Sequence, residues 1–125
     1  VWMEKDLILG LHSELLAWFG GLDGIRDQGM LDSALQKPKQ WFHYENPTLF
    51  ELAAAYAAGI VQNHPFLDGN KRTGFVAAAV FLESNGHRLT VPEEEAVIMT
   101  RGLAAGEVEA AAYAKWLEDG TAAGA

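Results

Sequence analysis

The 125-residue chain has no cysteine, only four prolines, and few basic side chains: nine Lys and Arg against seventeen Asp and Glu. Without cysteine there is neither a disulfide framework nor a thiolate metal site, which suits a reducing compartment such as the cytoplasm. The net charge of −8 repels a polyphosphate over the whole surface, so long-range electrostatics gives no support to direct nucleic-acid binding. Long hydrophobic runs are missing too. The longest, near residues 52–61 and 74–82, are about half a membrane span, and no basic stretch precedes an apolar one at the N-terminus. A soluble, untargeted protein without a membrane partner is expected. Its length supplies one hydrophobic core but not two, so residues 1–119 are expected to form a single domain. Residues 120–125, small and without an apolar anchor, are expected to be a frayed tail.

What the chain does contain is helical periodicity. Residues 4–19 set Leu7, Ile8, Leu11, Leu15, Trp18 and Phe19 at helical spacing, and Gly20-Gly21 stops the helix. A short second helix is predicted over about 30–37, ended by Pro38. Trp41-Phe42-His43-Tyr44-Glu45 then reads as extended, because β-favouring aromatics precede the turn pair Asn46-Pro47. Thr48-Leu49-Phe50-Glu51 matches a capping box and opens a helix to about Asn63, apolar around most of its circumference. Residues 70–85 have the same character up to Asn85-Gly86, so the two should pack as a buried central pair. His87 to Val91 reads as an extended link. Pro92-Glu93-Glu94-Glu95 starts a fifth helix with carboxylates in its favourable first turn, and a sixth covers about 107–119. The expected fold is all-α, a compact bundle of about six helices with a short extended flap. His12 reads as a satisfied core histidine, His43 and His87 as surface residues. Trp2, Trp18, Trp41 and Trp116 read as core or edge packing, not a platform for bases.

Chemistry concentrates between the two central helices, in His64-Pro65-Phe66-Leu67-Asp68-Gly69-Asn70-Lys71-Arg72. This run brings a base, a carboxylate able to hold a metal and two cations to the start of a helix, where unpaired N–H groups and the macrodipole favour anions. Lys71 and Arg72 fall in the first turn, where each cation costs on the order of 0.3–1 kcal/mol against the dipole. A local rule broken without structural gain marks a functional site, and the missing partner is most simply a phosphate. A plain Pro/Gly loop between core helices would leave that placement unexplained.

The run resembles the signature of the Fic/Doc superfamily, His-Pro-Phe-x-(Asp/Glu)-Gly-Asn-(Gly/Lys)-Arg, with every fixed position met. Gly20-Gly21-Leu22-Asp23-Gly24-Ile25-Arg26-Asp27 is also similar to the loop after the first helix of Doc-like members, Arg26 and Asp27 matching the charged pair there. The resemblance covers nearly the whole chain and implies an ATP-dependent transferase acting on a protein hydroxyl. It implies His64 as general base, Asp68 as the Mg²⁺ ligand, and Gly69, Asn70, Lys71 and Arg72 as phosphate-binding residues, with Asn70 also capping the helix and Phe66 anchoring the loop in the core. These roles are chemically sound: imidazole works near neutral pH, and a magnesium site needs only one or two carboxylates beside substrate phosphates.

Members that transfer AMP carry Gly where this chain has Lys71 and a second Arg where it has Phe75. The resemblance therefore implies a Doc-like protein kinase that presents the γ-phosphate, with AMP transfer as the alternative and a non-catalytic binding module as a further one. It implies a toxin that arrests translation by phosphorylating elongation factor Tu, with the stretch Trp41 to Glu45 as a flap that pairs with the target as an added strand. The inhibitory pattern (Ser/Thr)-x-x-x-Glu-(Gly/Asn) is absent from the sequence, so a Phd-like antitoxin acting in trans is expected.

Overall fold

A computed structural model describes residues 1–122, and six α-helices lie among the described residues. They are α1 (Lys5–Phe19), α2 (Gln28–Tyr44), α3 (Leu49–Asn63), α4 (Asn70–Ser84), α5 (Glu93–Ala105) and α6 (Ala110–Asp119), and the all-α bundle is as expected. None of the described helices is long and apolar enough to cross a membrane. The centre is α3, which packs on α4, α2, α6 and α5, while α1 lies against α4. Leu52, Ala53, Ala54, Tyr56, Ala57, Ile60 and Val61 of α3 are all buried, as an apolar circumference requires. The pairing of α3 with α4 is close because Gly74 lacks a side chain. A Cβ there would stand 2.6 Å from Val61 Cγ1 and 3.2 Å from the Ala57 carbonyl.

The start of α3 bears out the capping box. Thr48 Oγ1 accepts from the Glu51 N–H at 3.1 Å, and Glu51 Oε1 accepts from the Thr48 N–H at 2.9 Å. The second helix corrects the sequence reading. Pro38 lies inside α2, and the stretch expected to be an extended flap is the last turn of that helix. Leu31, Ala34, Leu35 and Pro38 are buried at helical spacing, and this packing overrides a proline cost of ~3 kcal/mol. Trp41 then closes the end: its carbonyl accepts from the Glu45 N–H at 2.9 Å, and its Nε1 donates to Glu45 Oε2 at 2.9 Å. There is no strand at 41–45 for a target to join.

The first residues of the expected tail are paired. Thr121–Ala122 pairs antiparallel with Arg88–Leu89, and the Thr90 N–H donates to the Gly120 carbonyl at 2.7 Å. These are β2 and β1; residues 123–125 of the expected tail lie outside the described residues. Trp2, Trp41 and Trp116 pack at the margin of the core, as edge residues should. Trp18 does not, being 76% exposed, and the C-terminal half of the α1 apolar stripe turns away from the core.

Candidate active site

Between α3 and α4 the chain makes a sharp connection. His64 ends α3 in the left-handed conformation (φ 50°, ψ 55°), and Gly69 precedes α4 with φ 78°. The glycine-rich segment after α1 braces this loop from outside. Ile25 and Phe66 form an antiparallel bridge, the Arg26 and Asp27 N–H groups donate to the Pro65 carbonyl at 2.7 and 3.1 Å, and the Leu67 N–H donates to the Gly24 carbonyl at 3.0 Å. Arg26 adds its side chain, with Nε donating to the His64 carbonyl at 2.6 Å and Nη2 to the Asn63 carbonyl at 2.8 Å. A cation on the last carbonyls of α3 is where the dipole favours one. Asp27 turns the other way, and its Oδ1 accepts from the Met30 N–H at 3.0 Å and caps α2.

Phe66 is buried and anchors the loop from below. Asn70, also buried, ties that anchor to the helix. Its Oδ1 accepts from the Phe66 N–H at 3.0 Å and its Nδ2 donates to the Phe66 carbonyl at 3.0 Å. The side chain therefore turns back into the loop instead of capping α4, whose N-cap is Gly69 and which has no side-chain cap hydrogen bond. With both Phe66 groups satisfied, the second amide N–H of Asn70 points at His64 Nδ1, 3.2 Å away. An amide nitrogen only donates, so Nδ1 accepts, and the proton of a neutral His64 ring sits on Nε2.

Asp68 stands at the loop's outer edge. Its Oδ1 accepts from the Gly69 N–H at 2.9 Å and its Oδ2 from the Leu22 N–H at 3.3 Å. Gly21, at φ 128°, is required here, since a Cβ would meet Asp68 Oδ2 at 2.9 Å. The exposed carboxylate keeps lone pairs for a cation, although no group of three or more His, Asp or Glu able to hold a metal occurs among the described residues. Such a donor set fits magnesium that takes its remaining ligands from water and nucleotide phosphates, not a metal caged by protein alone.

His64, Asp68, Gly69, Asn70, Lys71 and Arg72 all line one open cleft of about 650 Å³. Its other walls come from residues outside the motif: Leu15 and Phe19 of α1, Phe75 and Val76 of α4, and Ala96, Thr100 and Arg101 of α5. Among the described residues, neither Lys71 nor Arg72 has a carboxylate within salt-bridge distance, and the Arg72 guanidinium lies 4.3 Å above the Phe19 ring. The stretch 41–45 takes no part in the lining. The sequence does not mark Arg101 and Phe19 as site residues, since each is an ordinary helix residue until the bundle closes.

A family model described as "Fic/DOC family" matches residues 2–82, which include the whole loop and the walls given by α1 and α4. The chain belongs to the Fic/DOC family. It is similar to "Protein kinase doc" of Escherichia phage P1, 32% identical over 116 residues that span 92% of this chain and 91% of that protein. It is also similar to "Toxin Doc" of Mycolicibacterium smegmatis (strain ATCC 700084 / mc(2)155), 41% identical over 73 residues, 57% of this chain and 56% of that one. In this chain the run from His64 to Arg72 brings a histidine, a carboxylate and two cations together on one cleft.

Proposed function

We propose that the chain is a nucleotide-dependent protein kinase of the Doc type, a toxin that transfers the γ-phosphate of ATP to a hydroxyl side chain of a translation factor, elongation factor Tu by resemblance. The observation that carries this reading is the cleft itself. A histidine, a carboxylate and two cations without a carboxylate partner among the described residues converge at a helix start whose backbone N–H groups have no side-chain cap. Phosphoryl transfer asks a protein mainly for positioning and charge stabilisation, and this is what the cleft supplies.

The target hydroxyl would lie against His64. For its Nε2 to take the proton, the neutral ring must exchange tautomers and give up the long 3.2 Å contact with Asn70. As the proton moves to the imidazole, the hydroxyl oxygen bonds to the γ-phosphorus, the bond from that phosphorus to its bridging oxygen breaks, and ADP leaves. Lys71 and Arg72 stabilise the charge on the transferring group and the leaving oxygen. Asp68 would hold Mg²⁺, which neutralises the phosphates when bound. Phe75 and Lys71 occupy the positions where AMP-transferring members have arginine and glycine, which favours presenting the γ-phosphate. AMP transfer is the second reading, because Arg101 enters the cleft from α5 and offers a further cation to the nucleotide.

The relatives' names support a toxin paired with an antitoxin, and a Phd-like protein binding in trans is the partner proposed. The test is the intact mass of elongation factor Tu after incubation with the protein, ATP and Mg²⁺, with His64→Ala alongside. A phosphoryl-sized gain absent with the variant is the expected outcome. An adenylyl-sized gain would replace the kinase by the AMP transferase. No gain on this target would remove elongation factor Tu as substrate, and persistence of growth arrest with His64→Ala would overturn catalysis as the basis of toxicity.

A further inference from the structure

His12 of α1 is 56 positions from Asp68 in sequence and belongs to no part of the motif, yet it lies directly beneath the loop. It is 3% exposed. Its ring stacks on Phe66 with centroids 3.8 Å apart and planes 8° from parallel, and its Nε2 is 2.8 Å from the Asp68 carbonyl oxygen. A carbonyl only accepts, so Nε2 carries a proton and donates. Gly69 completes the contact: a Cβ on it would sit 3.6 Å from His12 Cδ2 and Nε2, so the imidazole touches the peptide that joins Asp68 to Gly69.

The consequence follows from peptide geometry. The peptide is trans, so its C=O and N–H point in opposite directions. Drawing the Asp68 carbonyl down onto the buried imidazole turns the Gly69 N–H outward, to the side where the Asp68 carboxylate receives it at 2.9 Å. A core histidine needs only some acceptor. This one takes the single carbonyl whose direction fixes the loop's outward-facing amide and the carboxylate beside it.

We propose that His12 is a positioning residue for the phosphate-binding loop: it clamps the Asp68–Gly69 peptide so that the Gly69 N–H holds the Asp68 carboxylate in place at the cleft before a nucleotide arrives. The inference rests on the nucleotide reading of the cleft, but its geometric half can be tested without any ligand. His12→Phe keeps a flat ring against Phe66 and deletes the donor. His12→Gln restores a donor near the position of Nε2.

Two measurements decide the matter. In the ligand-free protein, amide exchange over residues 64–72 should quicken in His12→Phe and return towards the parent in His12→Gln, while the α3 core stays protected in both. Binding of a non-hydrolysable ATP analogue with Mg²⁺ should weaken ~10-fold in His12→Phe and ~2–3-fold in His12→Gln, as loss and partial restoration of one hydrogen bond would give. Unchanged exchange in the loop, or exchange that rises equally through the core, would overturn the proposal whether or not nucleotide binds. If the parent binds no analogue but the loop exchange behaves as stated, the nucleotide reading fails and the clamp stands. If the parent binds and His12→Phe binds equally well, the clamp has no bearing on the ligand.

Discussion

The starts of the two central helices, α3 and α4, are built on opposite plans. At α3 the Thr48 and Glu51 side chains close both donors of the cap, and the first turn carries an acid where the dipole favours one. At α4 the cap residue is a glycine with no side chain to offer, the first turn holds Lys71 and Arg72, and the nearest amide of the right chemistry, Asn70, is directed back into the loop. One start is complete in itself. The other leaves donors and positive charge facing a cleft, an arrangement suited to an anion. Two helices of equal length, packed side by side in one core, thus separate stability from function more cleanly than either would alone.

The largest effect expected from this contrast is at Lys71. Lys71→Gln should lower phosphoryl transfer by ~10²–10³-fold, the usual cost of removing a donor aimed at developing charge. The same change should raise folding stability by about 0.3–1 kcal/mol, because a cation opposed to the dipole is gone. Denaturant unfolding together with the rate of target phosphorylation checks both signs. A variant that lost activity and stability together would mean that Lys71 already has a structural partner.

The far wall of the cleft follows the self-contained plan of α3. Thr100 lines the cleft on one side and shares a buried 2.9 Å hydrogen bond with the Tyr113 hydroxyl on the other. Burial pushes the Tyr113 hydroxyl up to about 12 from the ordinary 10. The folded protein therefore keeps this proton at pH values where the unfolded chain has lost it. Stability is fully present below pH 10 and falls as pH rises from 10 towards 12, by roughly 2–3 kcal/mol if the whole shift is expressed. Tyr113→Phe should remove that alkaline slope, measured by urea unfolding between pH 9 and 11.5. An equal slope in both proteins would assign the alkaline loss to other groups.

At the α3 start the opposite signature to Lys71 is expected. Thr48→Ala should cost about 1 kcal/mol of stability and leave the transfer rate unchanged. Thermal or urea unfolding and the same kinase assay read the pair, and a fall in activity would show that the α3 cap supports the loop at its other end.

How much of this was legible in the sequence differs between these regions for the same physical reason. The α3 cap and the α4 loop are local: their partners lie within a few residues, so spacing and residue type reveal them. His12, Phe19 and Arg101 reach the site from helices far away in sequence, and the His12 partner is a backbone carbonyl, which has no sequence signature at all. In α2, Pro38 and the aromatic run suggest a break, yet the burial spacing of Leu31, Ala34, Leu35 and Pro38 prevails, a signal already present in the letters. Pairing of Thr121–Ala122 with Arg88–Leu89 had no such signal, because two-residue strands are too short to leave a pattern.

The smallest effect tests how the open start is kept ready. Without a carboxylate partner among the described residues, the Arg72 guanidinium rests 4.3 Å above Phe19, a ring that is 57% exposed at the end of α1. A cation over an aromatic face at such a site is worth about 0.5–1 kcal/mol. It holds a long side chain near the cleft without neutralising it, as an anion-binding residue needs. Phe19→Leu should keep much of the apolar surface, lose the quadrupole, and weaken nucleotide binding by ~2–5-fold, with folding stability lowered by no more than about 0.5–1 kcal/mol. Phe19→Tyr should bind as the parent does. If Leu and Tyr behave alike, the ring only fills space, and the contrast between the two helix starts rests on Lys71, Arg72 and the uncapped backbone alone.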